Sequence, residues 1–454
     1  MSKFEKYVMK YKDEFLKDLD KLIRIPSIRD ETSKREGAPF GEKIHDSFLV
    51  FADIASKCGL QTHDFEGYAI HAFTSEETPY IGVLGHLDVV GVDDKWNYDP
   101  FALTQVKQLL YGRGVNDDKG PLLAALYALR ILREQGLLKK PVRIIAGGAE
   151  ETTWECMDYY FSKNKQPQWA FSPDGNFPIV NGEKGILQYA FNFSLSNQKE
   201  IEIQCVNELN YVCDEVKIKI YKDYKDVMKY AKHAFKINEK DDGTEIIYIG
   251  KKALSRNPHK GKNALFAFFS DFEKYPFQND ETKRLVKLFT QVLNEDIYGK
   301  KLGIFTEDEN MGVTTICPMV IAWNAMEQVV YLDIRFVRGI EKMDIEKKIQ
   351  ALGEQFGFSY ALIKEKRLLY VDANSPLISS LQYAYKEVMK EEASLISKGG
   401  ASYARVLDHG VVFGATFNDY DTRVHMANEC MPLADLLKAM EIFCVAIYRL
   451  SNDL

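Results

Sequence analysis

Between Tyr80 and Ser172, short apolar runs of strand length alternate with a long helical stretch, a pattern that few architectures accommodate. Tyr80 to Val90 (YIGVLGHLDVV) is β-rich and of buried-strand length. A glycine-rich turn around Gly112 and Gly114 leads into GPLLAALYALRILRE. There Leu122, Leu126, Leu129 and Leu132 recur at helical spacing and predict one buried stripe. Pro141 to Ala146 supplies a second strand and Gln168 to Ser172 a third. Strands separated by helices imply an α/β fold, with a mostly parallel sheet covered by helices on both faces.

After NGEKG (Asn181 to Gly185) the pattern changes. The amphipathic runs LQYAFNFSL, EVKIKIY, EIIYIG and VVYLDIRFV alternate with charged helices. Ile345, Ile349, Leu352 and Phe356 mark one such helix, stopped by Gly357. From about Ser375 the helical, glycine-rich style returns. We read residues 186–372 as an α+β domain inserted into a discontinuous domain formed by 1–185 and 373–454. A chain of 454 residues is longer than one core usually organises, which agrees with two domains.

The net charge is −7 with both signs well mixed, so no basic surface favours nucleic acid as a partner. No uncharged apolar stretch is long enough to span a bilayer. Seven cysteines are dispersed without a Cys-x-x-Cys pair, which suggests free thiols in a reducing compartment. The first residues lack the apolar core of a signal peptide. A cytoplasmic protein is expected.

Acid and histidine clusters follow the predicted strands and glycine turns, where ligands sit in open α/β sheets. They are Gly85-His86-Leu87-Asp88, the Gly114 to Gly120 segment with Asp117 and Asp118, Gly148-Ala149-Glu150-Glu151, and Ser172-Pro173-Asp174-Gly175. His425-Met426-Ala427-Asn428-Glu429 lies far downstream. Each alone has an ordinary reading: a strand-end hydrogen bond, a helix N-cap, solvated acids, or a turn. Their joint occurrence, at places one fold would bring together, points to a shared site.

This set, in this order, resembles the aminoacylase and carboxypeptidase-G class of co-catalytic zinc peptidases. The dipeptidase V branch is the most similar, through Trp96-x-x-Asp99-Pro100-Phe101, Ser172-Pro173-Asp174 and Asn181 to Gly185. The resemblance implies that His86 and Asp174 bind one metal, Glu151 and His425 the other, and that Asp117 bridges both. It implies two divalent cations, zinc foremost with manganese or cobalt also suited, holding a water between them. Glu150 would be the general base. Asp88, on the same strand face as His86, would orient its imidazole, and Asp118 would cap the following helix.

In this class the inserted domain closes over the site and contacts the substrate. Arg335 matches the arginine that clamps the substrate carboxylate, and Asn210 a substrate-contacting asparagine, although Cys213 replaces the usual proline. Gly399 to Arg405 resembles the glycine-rich substrate loop, with Ser402 where threonine is usual; Arg405 could instead pair with a surface acid. Leu254 occupies the position of a histidine that hydrogen-bonds the oxyanion, and His259 lies beyond Pro258. The expected activity is metal-dependent hydrolysis of short, unblocked dipeptides. An N-acyl-amino-acid hydrolase and a weakly active or inactive metal-bearing binding protein are the alternatives, the latter because of Leu254. The enlarged inserted domain resembles two dimerisation units in one chain, which implies a monomer.

Overall fold

The run beginning at Tyr80 forms the strand Ile81–His86, every residue of it buried. The structure, a computed structural model, describes residues 3–195, 199–417 and 420–452. The chain divides into two units, Met1–Gly182 with Tyr370–Ile396 and Ser402–Leu454, and Glu183–Leu369 with Ser397–Ala401. The sequence-based boundaries lie three residues further along at both junctions, and the short Ser397–Ala401 return was not anticipated.

In the first unit the sheet runs in the order Gln61–Phe65, Ala69–Phe73, Val142–Gly147, Ile81–His86, Trp169–Ser172, Gly410–Val412, Ile179–Glu183. The four strands from Val142–Gly147 to Gly410–Val412 are mutually parallel, and the strands flanking them pair antiparallel. The parallel strands therefore all end at one edge, where the loops after Ile81–His86, Val142–Gly147 and Trp169–Ser172 carry acid clusters. The helix Lys119–Glu134 is buried almost all round, where the sequence predicted a single stripe. It packs against the helices Leu433–Asn452 and Glu5–Ile23 as well as the strands. Ala124, Ala125 and Ala128, all fully buried, let those neighbours approach the faces that lack leucines.

The second unit is built on an eight-stranded sheet in the order Lys236–Lys240, Gly243–Ile249, Glu215–Ile220, Ile201–Cys205, Thr315–Trp323, Gln328–Phe336, Gly185–Phe193, Phe358–Lys366. All its pairings are antiparallel. Alternate residues face a separate apolar core, to which the helices Ala264–Phe272, Asp280–Leu288 and Lys342–Phe356 contribute. Ile345, Ile349, Leu352 and Phe356 are buried, and Gly357 ends the helix at φ 73°. That left-handed conformation is one only glycine adopts at little cost. The last strand carries a bulge between Leu362 and Lys364. No helix among the described residues is long and apolar enough to cross a membrane.

Leu126 is fully buried within the first core. Leu126→Ala should lower the unfolding free energy by about 2–5 kcal/mol, measured as a shift of the urea midpoint at unchanged slope.

Candidate metal centre

His86 is the last residue of the strand Ile81–His86, and its ring is wholly enclosed. Its Nε2 donates to Asp117 Oδ1 at 3.0 Å and stands 3.9 Å from Asp174 Oδ2. The other oxygen of Asp117 accepts from His425 Nε2 at 2.9 Å. That same nitrogen lies 3.0 Å from Glu151. Asp117 thus sits between two histidines that lie more than 300 residues apart in the chain. His86, Asp117 and Asp174 form one group whose donor atoms all lie within 4.8 Å of one another, and Asp117, Glu151 and His425 form a second. Imidazole and carboxylate donors in two such groups sharing one carboxylate fit a pair of divalent cations of the zinc, manganese or cobalt type.

The charges respond to this crowding. Burial opposes ionisation of Asp117, but the hydrogen bonds from His425 and His86 outweigh it and hold its carboxyl well below the usual range. Hydrogen bonds to Asp117 and Glu151 raise the His425 imidazole to about 10. Glu150 is pushed well above the ordinary carboxylate range, first by burial and then by the charge of Asp174. It belongs to neither donor group.

Asp88 lies beside the His86 imidazole. The nearest acceptor to His86 Nδ1 is the backbone carbonyl of Asp88 at 2.9 Å, with the carboxylate at 3.5 Å. That carboxylate accepts the backbone N–H groups of Glu150 at 3.1 Å and Glu151 at 3.0 Å. Asp88 therefore tethers the Glu150–Glu151 loop to the strand bearing His86. Asp118 stands at the helix N-cap, but its side chain caps nothing. It accepts the backbone N–H of His86 instead, at 3.2 Å. The reason is space: a Cβ on Gly85 would lie 2.1 Å from Asp118 Oδ2, so the bare glycine lets the carboxyl reach the strand.

Sequence reasoning noted Glu429 only as part of a cluster. Fully buried, it accepts the backbone N–H groups of Gly114, Asn116 and Asp117 at 3.0–3.2 Å and pairs with Arg113 at 2.7 Å. One carboxylate thereby shapes the loop that presents Asp117. Its place four residues after His425 was the only hint in the sequence. A third histidine–acid group, His63, His71 and Glu76, lies in the same unit on the strands Gln61–Phe65 and Ala69–Phe73 and the loop that follows.

In the second unit, Asn210 and Arg335 belong to one polar network. Arg335 Nε contacts both oxygens of Asp333, at 3.1 and 2.9 Å, and its Nη1 donates to the Gly399 carbonyl at 2.8 Å. Gln188 donates to Asn210 at 2.8 Å and to Asp333 at 2.9 Å, and Ser255 donates to Asp333 at 2.8 Å. Arg335 is 6 % exposed, so it is no ordinary surface arginine. Ser402 is buried and belongs to the first unit. Arg405 is buried. Leu254 is 37 % exposed and forms an isolated antiparallel bridge with Tyr211. His259 sits on the turn Pro258–Lys260 and lines, with Cys317 and Phe266, a cavity of about 480 Å³.

An α/β unit with a parallel-rich sheet, carrying two acid–histidine groups at its strand ends, is the framework of a metal-dependent hydrolase. Residues 82–449 match peptidase family M20/M25/M40. Over 99% of this chain and all of the relative, it is 32% identical to YtjP of Bacillus subtilis (strain 168), itself named a dipeptidase only provisionally. It is 30% identical to the Beta-Ala-Xaa dipeptidase of Lactobacillus delbrueckii subsp. lactis, over 97% of both chains. Human carnosine dipeptidase 1 has the same fold, with a TM-score of 0.60 at 17% identity over 99% of this chain and 98% of that one. The chain belongs to peptidase family M20/M25/M40, and it is a hydrolytic peptidase.

Replacing Glu429 by Ala leaves Arg113 buried without its partner and frees three amides. The expected cost is about 3–5 kcal/mol of stability, and cation affinity should fall by about 10–100-fold, as read by denaturant unfolding and calorimetric zinc titration.

Proposed function

We propose that the chain is a metal-dependent dipeptidase that hydrolyses the amide bond of short, unblocked dipeptides. The observation that carries this reading is Asp117, held between His86 and His425 with Asp174 and Glu151 completing a donor group on each side. His86, Asp117 and Asp174 would hold one divalent cation, and Asp117, Glu151 and His425 the other, with zinc favoured and manganese or cobalt also compatible. When bound, such a pair supplies Lewis acidity and a water of lowered pKa. Glu150 takes the proton from the attacking water and returns it to the leaving amine. Asp88 holds Glu150 and Glu151 in place through their amides.

Arg335 receives the free carboxylate of the dipeptide, and Asn210 and Ser402 make further substrate contacts. Asp333 fixes the Arg335 guanidinium through Nε, which pre-orders it for a carboxylate. The name of the Lactobacillus delbrueckii relative, a Beta-Ala-Xaa dipeptidase, supports a small peptide substrate. We further propose a cytoplasmic monomer. The free cysteines agree with a reducing compartment.

The alternative is a weakly active or silent metal-bearing binding protein. It is motivated by Leu254, whose partly exposed side chain has no donor to offer an oxyanion. A panel of dipeptides and N-acyl amino acids, assayed with zinc, manganese and cobalt, separates the readings. Hydrolysis confined to N-acyl amino acids would remove the dipeptidase reading. Silence in the wild type with activity in Leu254→His would favour the binding protein. In an active wild type, Leu254→His should raise kcat by up to about 10²–10³. Glu150→Gln should lower kcat by about 10²–10⁴ while the bound metal, counted by mass spectrometry, is retained. Light scattering should give the mass of one chain.

A further inference from the structure

His63 and His71 are direct cross-strand partners on the antiparallel strands Gln61–Phe65 and Ala69–Phe73, and Glu76 follows in the next loop. Glu76 Oε1 lies 3.3 Å from His71 Nε2 and 3.7 Å from His63 Nδ1, and all three donor atoms fall within 4.8 Å of one another. A cation bonded at about 2.0–2.1 Å to tetrahedral ligands separates those ligands by about 3.3–3.4 Å. Two of the three edges are thus near the required length. The third depends on His63, whose exposed ring can turn without disturbing the core. We propose that His63, His71 and Glu76 form a second, separate cation site, one that takes a single borderline divalent ion such as zinc and leaves a ligand position open to water.

The surroundings supply what such a site needs. The Tyr160 hydroxyl lies 2.8 Å from His71 Nδ1. A hydroxyl can accept as well as donate, so Nδ1 can carry the ring proton while Nε2 gives its lone pair to the ion. His71 is fully enclosed. Arg143 holds the other oxygen of Glu76 at 3.0 Å and its carbonyl at 2.7 Å. That fixes the carboxylate with Oε1 directed at the histidines. The Arg143 charge also opposes a cation, so binding is weaker than at the Asp117 centre. Two imidazoles and one carboxylate select zinc, cobalt, nickel or copper over magnesium or calcium. None of these residues belongs to the donor groups around Asp117, so the proposal stands apart from the dipeptidase reading. An ion here would join the first two strands of the sheet and the loop after them.

The test is equilibrium dialysis of the full-length protein at about 10 µM free zinc, in excess of the affinity of an open three-ligand site, with bound metal counted by mass spectrometry. Wild type should bind one equivalent more than His63→Ala and one more than Glu76→Gln. Both substitutions are at exposed positions, and Gln keeps an oxygen that can face Arg143. Magnesium at the same concentration should show no such difference. Equal zinc counts in wild type and His63→Ala would overturn the site. So would an extra equivalent that survives in Glu76→Gln or that magnesium supplies equally well.

Discussion

Carboxyl groups crowded together out of water cannot all ionise unless positive charge or hydrogen-bond donors lie among them. That constraint governs the first unit. Asp88, Asp117, Asp118, Glu150, Glu151 and Asp174 gather where the parallel strands end, and each is handled differently. Asp117 is stabilised as an anion by two imidazoles. Asp88 spends its charge on the amides of Glu150 and Glu151. Asp118 and Glu150 are driven towards the neutral acid by burial and by Asp174. The same fold edge therefore holds carboxyl groups in different charge states, set by their neighbours and not by residue type.

Beneath this layer, Glu429 does for the Asp117 loop what Asp88 does for the Glu150 loop: a buried carboxylate gathers neighbouring backbone amides and fixes the residues that carry them. In the second unit Asp333 plays a comparable part for a side chain. It holds Arg335 along one edge of the guanidinium while Gln188 and Ser255 satisfy its own oxygens. A buried acid satisfied on several sides keeps its geometry, because moving it would leave charge and donors unmatched.

How much of this was legible beforehand follows from the range of the interactions. The strands at Tyr80, Pro141 and Gln168 could be read because burial on both faces leaves continuous apolar runs, and the helix ending at Gly357 because periodicity and a glycine stop are local. The acid and histidine clusters stood out through their order along the chain. The job of Asp118 was misread because capping is the local default, whereas its actual partner, the His86 amide, is 32 residues away. Glu429 and Arg113 meet across 316 residues, and nothing near either one announces the pair. The helix at Lys119 was taken for a one-sided amphipath because alanine reads as neutral, although here it lines close helix contacts.

The two outer strands of the eight-stranded sheet have an implication for how copies of this chain meet. Lys236–Lys240 begins and ends in lysine, and Phe358–Lys366 bears Lys364 and Lys366 next to its bulge. Such borders present cationic, locally kinked backbone where a neighbouring strand would have to add. Two molecules aligned border to border would oppose ammonium with ammonium and lose register at the kink. The ladder thus ends at its own margins, and crowding in a cell should not extend it into a ribbon.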